Sequence, residues 1–140
     1  GYLSALRDHG IEPDGDLVAC TGSFGMDEAY IATRALASGG ADFTAMFIIA
    51  DAMAIAAIKA LEDAGRDVPR DCSVIAVDGL LLSQYTRPTL TTMCQPSEQM
   101  GEESVRILLD MIERRSGNRS LVLESTLRAG ASVAPASAWK

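Results

Sequence analysis

Ala45-Met46-Phe47-Ile48-Ile49-Ala50-Asp51-Ala52-Met53-Ala54-Ile55-Ala56-Ala57-Ile58-Lys59-Ala60-Leu61 carries two hydrophobic periods in succession. Its first five residues form a short continuous apolar run, the pattern of a strand buried on both faces. From Ala52 to Ala64 the pattern is helical. Ile55, Ile58 and Leu61, with Ala54 and Ala57 beside them, form one stripe, closed by Gly65 and followed by Pro69. A strand feeding directly into a helix is half of a crossover unit, and the flanking sequence shows whether that unit repeats.

It repeats in both directions. Leu17-Val18-Ala19-Cys20-Thr21 and Ser73-Val74-Ile75-Ala76-Val77 are runs of the same kind. Between Thr21 and Ala45 lies a helical pattern over Met26 to Ser38, with Asp27 and Glu28 at its positive end and Gly39-Gly40 as its stop. Strand, helix, strand, helix, strand with short connections predicts a doubly wound α/β fold, because right-handed crossovers lay each helix on a face of a parallel sheet. Past Val77 come Asp78-Gly79, an apolar loop from Leu80 to Tyr85, and a short strand from Leu90 to Cys94. A helix from Ser97 to about Arg115 follows, burying Met100, Val105, Leu108, Leu109 and Ile112, with Arg114 and Arg115 at its negative end and Gly117-Asn118 as its stop. Ser120 to Leu127 alternates as a half-buried strand, and Ala129 to Lys140 is small and polar enough to fray. At the other end, Gly1-Tyr2-Leu3 lies inside a helical pattern with no capping residue and no export signal, which reads as the truncated start of a longer chain.

Composition narrows the classes. The 140 residues are 48% hydrophobic and 22% charged, as in a chain that buries a core. No apolar run approaches the ~18–20 residues of a membrane span, so no membrane partner is expected. The formal net charge is −7 and Lys and Arg are scattered, so these residues lack the basic footprint that duplex DNA requires. Cys20, Cys72 and Cys94 lie far apart without CxxC spacing and read as buried, reduced thiols, which favours a reducing, cytoplasmic compartment.

In an open parallel sheet, ligands bind beyond the carboxyl ends of the strands. The residues there are Ser23 and Phe24, Ala50 and Asp51, and Asp78. Phe24, Asp51 and Asp78 recur at equal intervals of 27 residues, as successive crossover units of one length would place them, and are expected to face one crevice. A carboxylate at Asp78 can accept hydrogen bonds from adjacent ligand hydroxyls or amines, the alternative being an Asx turn with Gly79. Asp51 starts a helix, where an N-cap role competes with ligand contact. Phe24 reads either as packing or as a ring that stacks on the apolar face of a sugar or base. Catalytic sets are missing: the one histidine, His9, has no Ser/His/Asp or Cys/His company, Gly22-Ser23-Phe24-Gly25 lacks the rest of a phosphate cradle, and no metal-ligand spacing occurs. Neither an enzyme activity nor a metal or other cofactor is expected; binding without chemistry is the economical reading.

Several ordered blocks resemble one family. Phe43 to Leu61, then Val68-Pro69-Arg70-Asp71 with Ser73-Val74-Ile75-Ala76-Val77-Asp78-Gly79, then Tyr85-Thr86-Arg87-Pro88-Thr89-Leu90-Thr91-Thr92 with Gln95-Pro96, resemble the effector domain of LacI/GalR-type bacterial transcription regulators. The resemblance implies a fragment of a two-subdomain fold like that of type I periplasmic binding proteins. In it, residues 1–94 would be most of the C-terminal subdomain, 95–118 a hinge crossover and helix of the N-terminal subdomain, and 119–140 a returning strand and tail. It further implies a small polar effector, sugar-like or nucleoside-like, touching Asp78, the aromatic position of Phe24 and the position before Asp51. Many members place Asn there; Ala50 removes that amide. Operator DNA would be bound by a helix-turn-helix headpiece absent from this chain, and members form homodimers through the region that holds Met53, Ala57, Leu81 and Tyr85. The competing reading is a periplasmic solute-binding protein of a sugar transporter, which the Leu90-Thr91-Thr92 and Gln95-Pro96 blocks disfavour.

Overall fold

In a computed structural model, residues 1–113 and 119–135 are described. The chain runs through helix α1 (Tyr2–Asp8), a 3-10 turn at Gly15–Leu17, α2 (Met26–Ser38), strand β1 (Ala45–Phe47), α3 (Asp51–Asp63), β2 (Ser73–Asp78), a second 3-10 turn at Leu81–Gln84, β3 (Thr91–Cys94), α4 (Ser97–Ile112) and β4 (Thr126–Arg128). The four strands form one sheet in the order β1-β2-β3-β4; β1, β2 and β3 are parallel, and β4 is an antiparallel edge beside β3. The α/β class read from the sequence holds.

The core sits around α3. Ala54, Ala57, Ile58, Ala60 and Leu61 are buried there, and small alanines let α3 approach both α2 and the sheet closely. Ala29 of α2, Val74 and Ala76 of β2, and Leu90 complete the cluster. Between the helices, Tyr30 donates to Asp63 at 2.9 Å and Lys59 pairs with the same carboxylate. Arg66 stacks over the Phe43 ring at 4.2 Å from its centroid while donating to the Phe43 carbonyl, which fixes the loop ahead of β1.

Several expectations give way. Leu17 to Thr21 is not a strand: the Asp14 side chain accepts from the Asp16 amide at 2.9 Å and winds Gly15–Leu17 into a turn, after which the chain stays extended but joins no ladder. Cys20 is therefore exposed, against the buried thiol expected, whereas Cys72 is buried and Cys94 half-buried. β1 buries one face only. Ile48 turns into the core, while Phe47 and Ile49 on the opposite side are exposed because no helix of the described chain covers them. Met100, Val105, Leu108, Leu109 and Ile112 of α4 are likewise exposed, so the helix forms but its apolar stripe has no partner among the described residues. The expected continuation of that helix to Arg115 and its stop at Gly117-Asn118 reach outside the described residues.

The C-terminal segment differs most. The expected strand from Ser120 to Leu127 is reduced to Thr126–Arg128, with Leu121 and Val122 exposed. Residues from Ala129 to Pro135, expected to fray, are tied down instead; 136–140 lie outside the described residues. Gly130 passes so close to the β3 entry that an added Cβ would lie 2.4 Å from the Thr89 carbonyl oxygen. Its amide donates to Thr91 Oγ1 at 3.0 Å, and Ala131 donates to Thr89 O at 2.8 Å. Ser132, fully buried, accepts from the Thr91 amide at 2.8 Å and donates to Val74 O at 2.6 Å, joining β2 to β3 through one hydroxyl. Polarity alone does not mark a segment as frayed: here a small hydroxyl side chain satisfies two buried backbone groups.

Ser132→Ala leaves the Thr91 amide buried without an acceptor. We expect a loss of about 1–3 kcal/mol of stability by thermal or denaturant unfolding; an unfolding curve that coincides with that of Ser120→Ala, an exposed-site control, would count against this role.

Candidate functional site

The carboxyl ends of β2 and β3 converge with the start of α3 in one polar cluster. Asp51 is the first residue of α3 and is 0% exposed. Its side chain makes no N-cap bond; the residue at the cap position is Ala50, and the cap role weighed for Asp51 is set aside. One oxygen, Oδ1, accepts from the Thr92 hydroxyl at 2.5 Å, and Oδ2 accepts from the Leu80 amide at 2.7 Å. Lying at the positive end of α3, the buried carboxylate is favoured by the helix dipole as well as by its two donors. Asp51 is thereby a brace beneath the crevice, with neither oxygen turned to solvent.

Asp78 stands above it at the last position of β2, where its backbone pairs in register with Cys94. Its Oδ2 accepts from the Asp51 amide at 3.3 Å and its Oδ1 from the Gln95 side-chain amide at 3.0 Å; the Gln95 backbone amide donates to Asp78 O at 3.1 Å. Asp78 has φ +125°, a backbone region that costs a residue with a Cβ on the order of 1–3 kcal/mol and persists where the surroundings enforce it. Gly79 follows at φ +79°, and a Cβ there would meet Cys94 Sγ at 2.6 Å, so the turn out of β2 admits no side chain at that position. The carboxylate is half-buried, and each oxygen keeps a lone pair beyond the bond it already accepts. One N–H of the Gln95 side-chain amide is committed to Asp78; its second N–H and its carbonyl oxygen remain, so the pair presents several hydrogen-bond acceptors and one donor.

The other site residues read from the sequence fall differently. Ser23 and Phe24 lie in the loop before α2, where Thr21 Oγ1 donates to Ser23 O at 2.7 Å and Ser23 Oγ accepts from the Gly25 amide at 3.0 Å. Phe24 is 72% exposed, so its ring is free of core packing. No hydrogen bond among the described residues joins this loop to Asp78 or Asp51. Ala50 is buried at the α3 start. Gln95, Thr92 and Arg128 were not read as site residues, and only their place in the motif blocks or on a strand could have flagged them, because their roles arise from pairings across the sheet. A cavity of about 490 Å³ lies elsewhere, between residues 17–21, the β1 edge and α2, and is lined by Leu17, Val18, Phe43, Met46 and Ile48 among others. Its wall is apolar and excludes Asp78, so it is the space left beside the unpaired 17–21 segment and not the crevice.

Reactive groups are sparse. His9 is exposed at the α1 end with Nδ1 against the Ala5 carbonyl at 2.9 Å. Burial pushes the Cys72 thiol up to about 11, which keeps it protonated and unreactive at neutral pH. Among the described residues no group of three His, Cys, Asp or Glu side chains is placed to hold a metal ion. The dimer surface implied by the sequence splits in two. Met53 and Ala57, at 5% and 1% exposure, belong to the chain's own core and are withdrawn, because α2 and the sheet already cover that side of α3. Leu81 and Tyr85, at 67% and 78%, remain open.

The periplasmic binding protein-like domain matches residues 1–133, spanning the sheet, the Asp51–Asp78 cluster and the returning segment alike. The chain belongs to the periplasmic binding protein-like domain family. Within it, the chain is 38% identical over 127 residues to the HTH-type transcriptional regulator MalR of Clostridium butyricum, covering 91% of this chain and 38% of that one. A solved transcriptional regulator CelR-cellobiose complex superposes with a TM-score of 0.88 at 36% identity, over 94% of this chain and 40% of the other. The lac repressor dimer bound to operator and the anti-inducer ONPF superposes with a TM-score of 0.86 at 26% identity, over 95% and 46%. The resemblance to LacI-type regulators drawn from the sequence blocks therefore stands, and the chain spans about 40% of the length of the curated relatives it matches. Among the described residues no helix is long and apolar enough to cross a membrane.

For the periplasmic binding protein-like fold seen here, Asp51→Ala orphans both the Thr92 hydroxyl and the Leu80 amide. The expected cost is about 1–3 kcal/mol for each donor left buried, above the ~1 kcal/mol of a lost helix cap. A double-mutant cycle with Thr92→Val in urea unfolding checks it: strictly additive losses would show that the two side chains do not act together.

Proposed function

We propose that this chain is the ligand-sensing part of a LacI-type transcription regulator, binding a small polar effector over the ends of β2 and β3 and passing the result to a helix-turn-helix headpiece elsewhere in the protein. The observation that carries the reading is the hydrogen-bonded Asp78–Gln95 pair at the strand ends of a fold that superposes on a cellobiose-bound regulator. An acceptor-rich wall suits a ligand rich in hydroxyl donors, and a strained, glycine-backed turn is a costly way to place a carboxylate that has no task. Ala50 offers no amide to such a ligand, so Asp78 and Gln95 carry more of the polar recognition. Phe24, exposed in the loop before α2, is assigned to stack on the ligand's apolar face, with Ser23 beside it; Asp51 acts through Asp78 and not by contact.

In this reading residues 1–94 are most of one subdomain, 95–118 cross the hinge and contribute a helix to the other, and 119–140 return. The protein works in the cytoplasm without a catalytic step. DNA contact belongs to the headpiece, in keeping with the net charge of −7 here. Leu81 and Tyr85 supply a homodimer surface, supported by their exposure and by the dimeric state named for the lac repressor structure.

Calorimetry on the intact protein against mono- and disaccharides and nucleosides tests the effector. Asp78→Ala is expected to weaken binding about 5- to 150-fold, the 1–3 kcal/mol of ligand donors left unpaired, while operator binding without effector is retained. Wild-type affinity in that variant would sink the assignment. The dimer surface is tested separately by sedimentation: Tyr85→Asp is expected to raise the dimer dissociation constant at least about tenfold, since a desolvated charge at an apolar contact costs more than 1.4 kcal/mol, and an unchanged constant would overturn it.

A further inference from the structure

Arg128, at the end of β4, is the third party to the turn that leaves Asp78. Its Nη1 donates to Gly79 O at 3.3 Å, and its Nη2 donates to Leu80 O at 2.9 Å and to Ser83 Oγ at 2.5 Å. Among the described residues it has no carboxylate partner; its fork is spent on this one turn. The two peptide groups flanking Leu80 are thus both held, its N–H by buried Asp51 and its C=O by Arg128, with the Ser83 hydroxyl also donating to Leu80 O at 2.7 Å. One residue before this clamp stands Asp78. Immediately after it, Leu81, Leu82 and Tyr85 are exposed on the 3-10 turn.

We propose that Arg128 is a positioning residue that rigidly couples Asp78 to the exposed Leu81–Tyr85 surface, so that a load on the Asp78 carboxylate is felt at that surface only while the guanidinium holds the Gly79 and Leu80 carbonyls. The inference deepens the effector reading and rests on it for its biological meaning. Its physical basis is that Asp78, Gly79 and Leu80 are consecutive, that Gly79 has no room for a side chain, and that both backbone polar groups of Leu80 are occupied. A displacement of Asp78 then has no slack to absorb it before Ser83. The 3-10 turn Leu81–Gln84 and its C-cap Tyr85 are tied together by amides that return to the Leu80 and Leu82 carbonyls, from Ser83 at 3.2 Å and from Tyr85 at 3.0 Å.

Backbone amide exchange on the intact protein tests the coupling without needing a ligand. Asp78→Asn serves as the perturbation, read at the Leu80, Ser83 and Tyr85 amides, with α2 and α3 amides as the fold control. Asp78→Asn is expected to speed exchange at these three amides about tenfold, Arg128→Ala at least as much, and the double variant no more than about twofold beyond Arg128→Ala alone. A residue that merely stabilised the turn would give independent effects, so factors that multiply in the double variant overturn the proposal. Wild-type exchange in Arg128→Ala overturns it as well. If the control amides show that Arg128→Ala does not fold, the same cycle in Arg128→Lys, which keeps the charge but not the fork, decides by the same criteria. Wild-type protein that binds none of the sugars or nucleosides in calorimetry would sink the effector reading, while the cycle alone decides the coupling.

Discussion

A carboxylate removed from water is tolerated inside a protein only when its lone pairs are met by donors, and the Asp51 side chain meets that condition with groups from two different elements. Thr92 comes from β3 and the Leu80 amide from the turn after β2, while Asp51 itself begins α3. The same residue's backbone amide reaches Asp78. One buried side chain therefore sets the relative positions of the three places at which this sheet can present ligand-binding groups. Replacing it by an apolar residue would not give an equivalent core, because the Leu80 amide has no other acceptor in a turn already constrained by Gly79 and Cys94.

Around that brace, burial is uneven in a way that follows from residue size. α3 is rich in alanine, so α2 and β2 pack close to its axis, and Ala is the commonest residue of the buried set, with Ile48, Met53, Ile58, Leu61 and Leu90 as its larger members. Many other large apolar side chains lie outward: Phe47 and Ile49 on the open side of β1, the stripe of α4, and Leu81, Leu82 and Tyr85. At roughly 25 cal/mol per Å² of apolar surface left in water, such faces carry a substantial driving force toward further protein. Their presence agrees with a chain that spans about 40% of its relatives' length.

The cluster at the ends of β2 and β3 is polar for a geometric reason. The short crossover out of β1 directs the N-terminus of α3 at the carboxyl ends of the strands. Asp78 and Gln95 then add acceptors to a location that already favours negative charge. The strained φ of Asp78 is held by four hydrogen bonds around it: two to its carboxylate, one to its carbonyl, and Arg128 on the next peptide.

The sequence by itself determined the helices, because apolar residues at helical spacing have only one way to share a face: Met26 to Ser38 and the segment opening at Asp51 appear within a residue of where their periodicity put them. It also determined β2 and the placing of Asp78 at its end, since a β-branched run closed by Asp-Gly has little other use. The family blocks were legible because they are contiguous. Tertiary structure alone decided the rest. Whether an apolar run is a strand depends on a hydrogen-bonding partner that the run does not contain, and Leu17 to Thr21 finds none. Whether Ser132 frays or is buried depends on Thr91 and Val74, 41 and 58 residues away. Whether Asp51 caps its helix or braces the sheet, whether Met53 faces a partner or the core, and whether Arg128 meets solvent or the Leu80 carbonyl are questions of distance between remote residues. Local spacing carries no information about that distance.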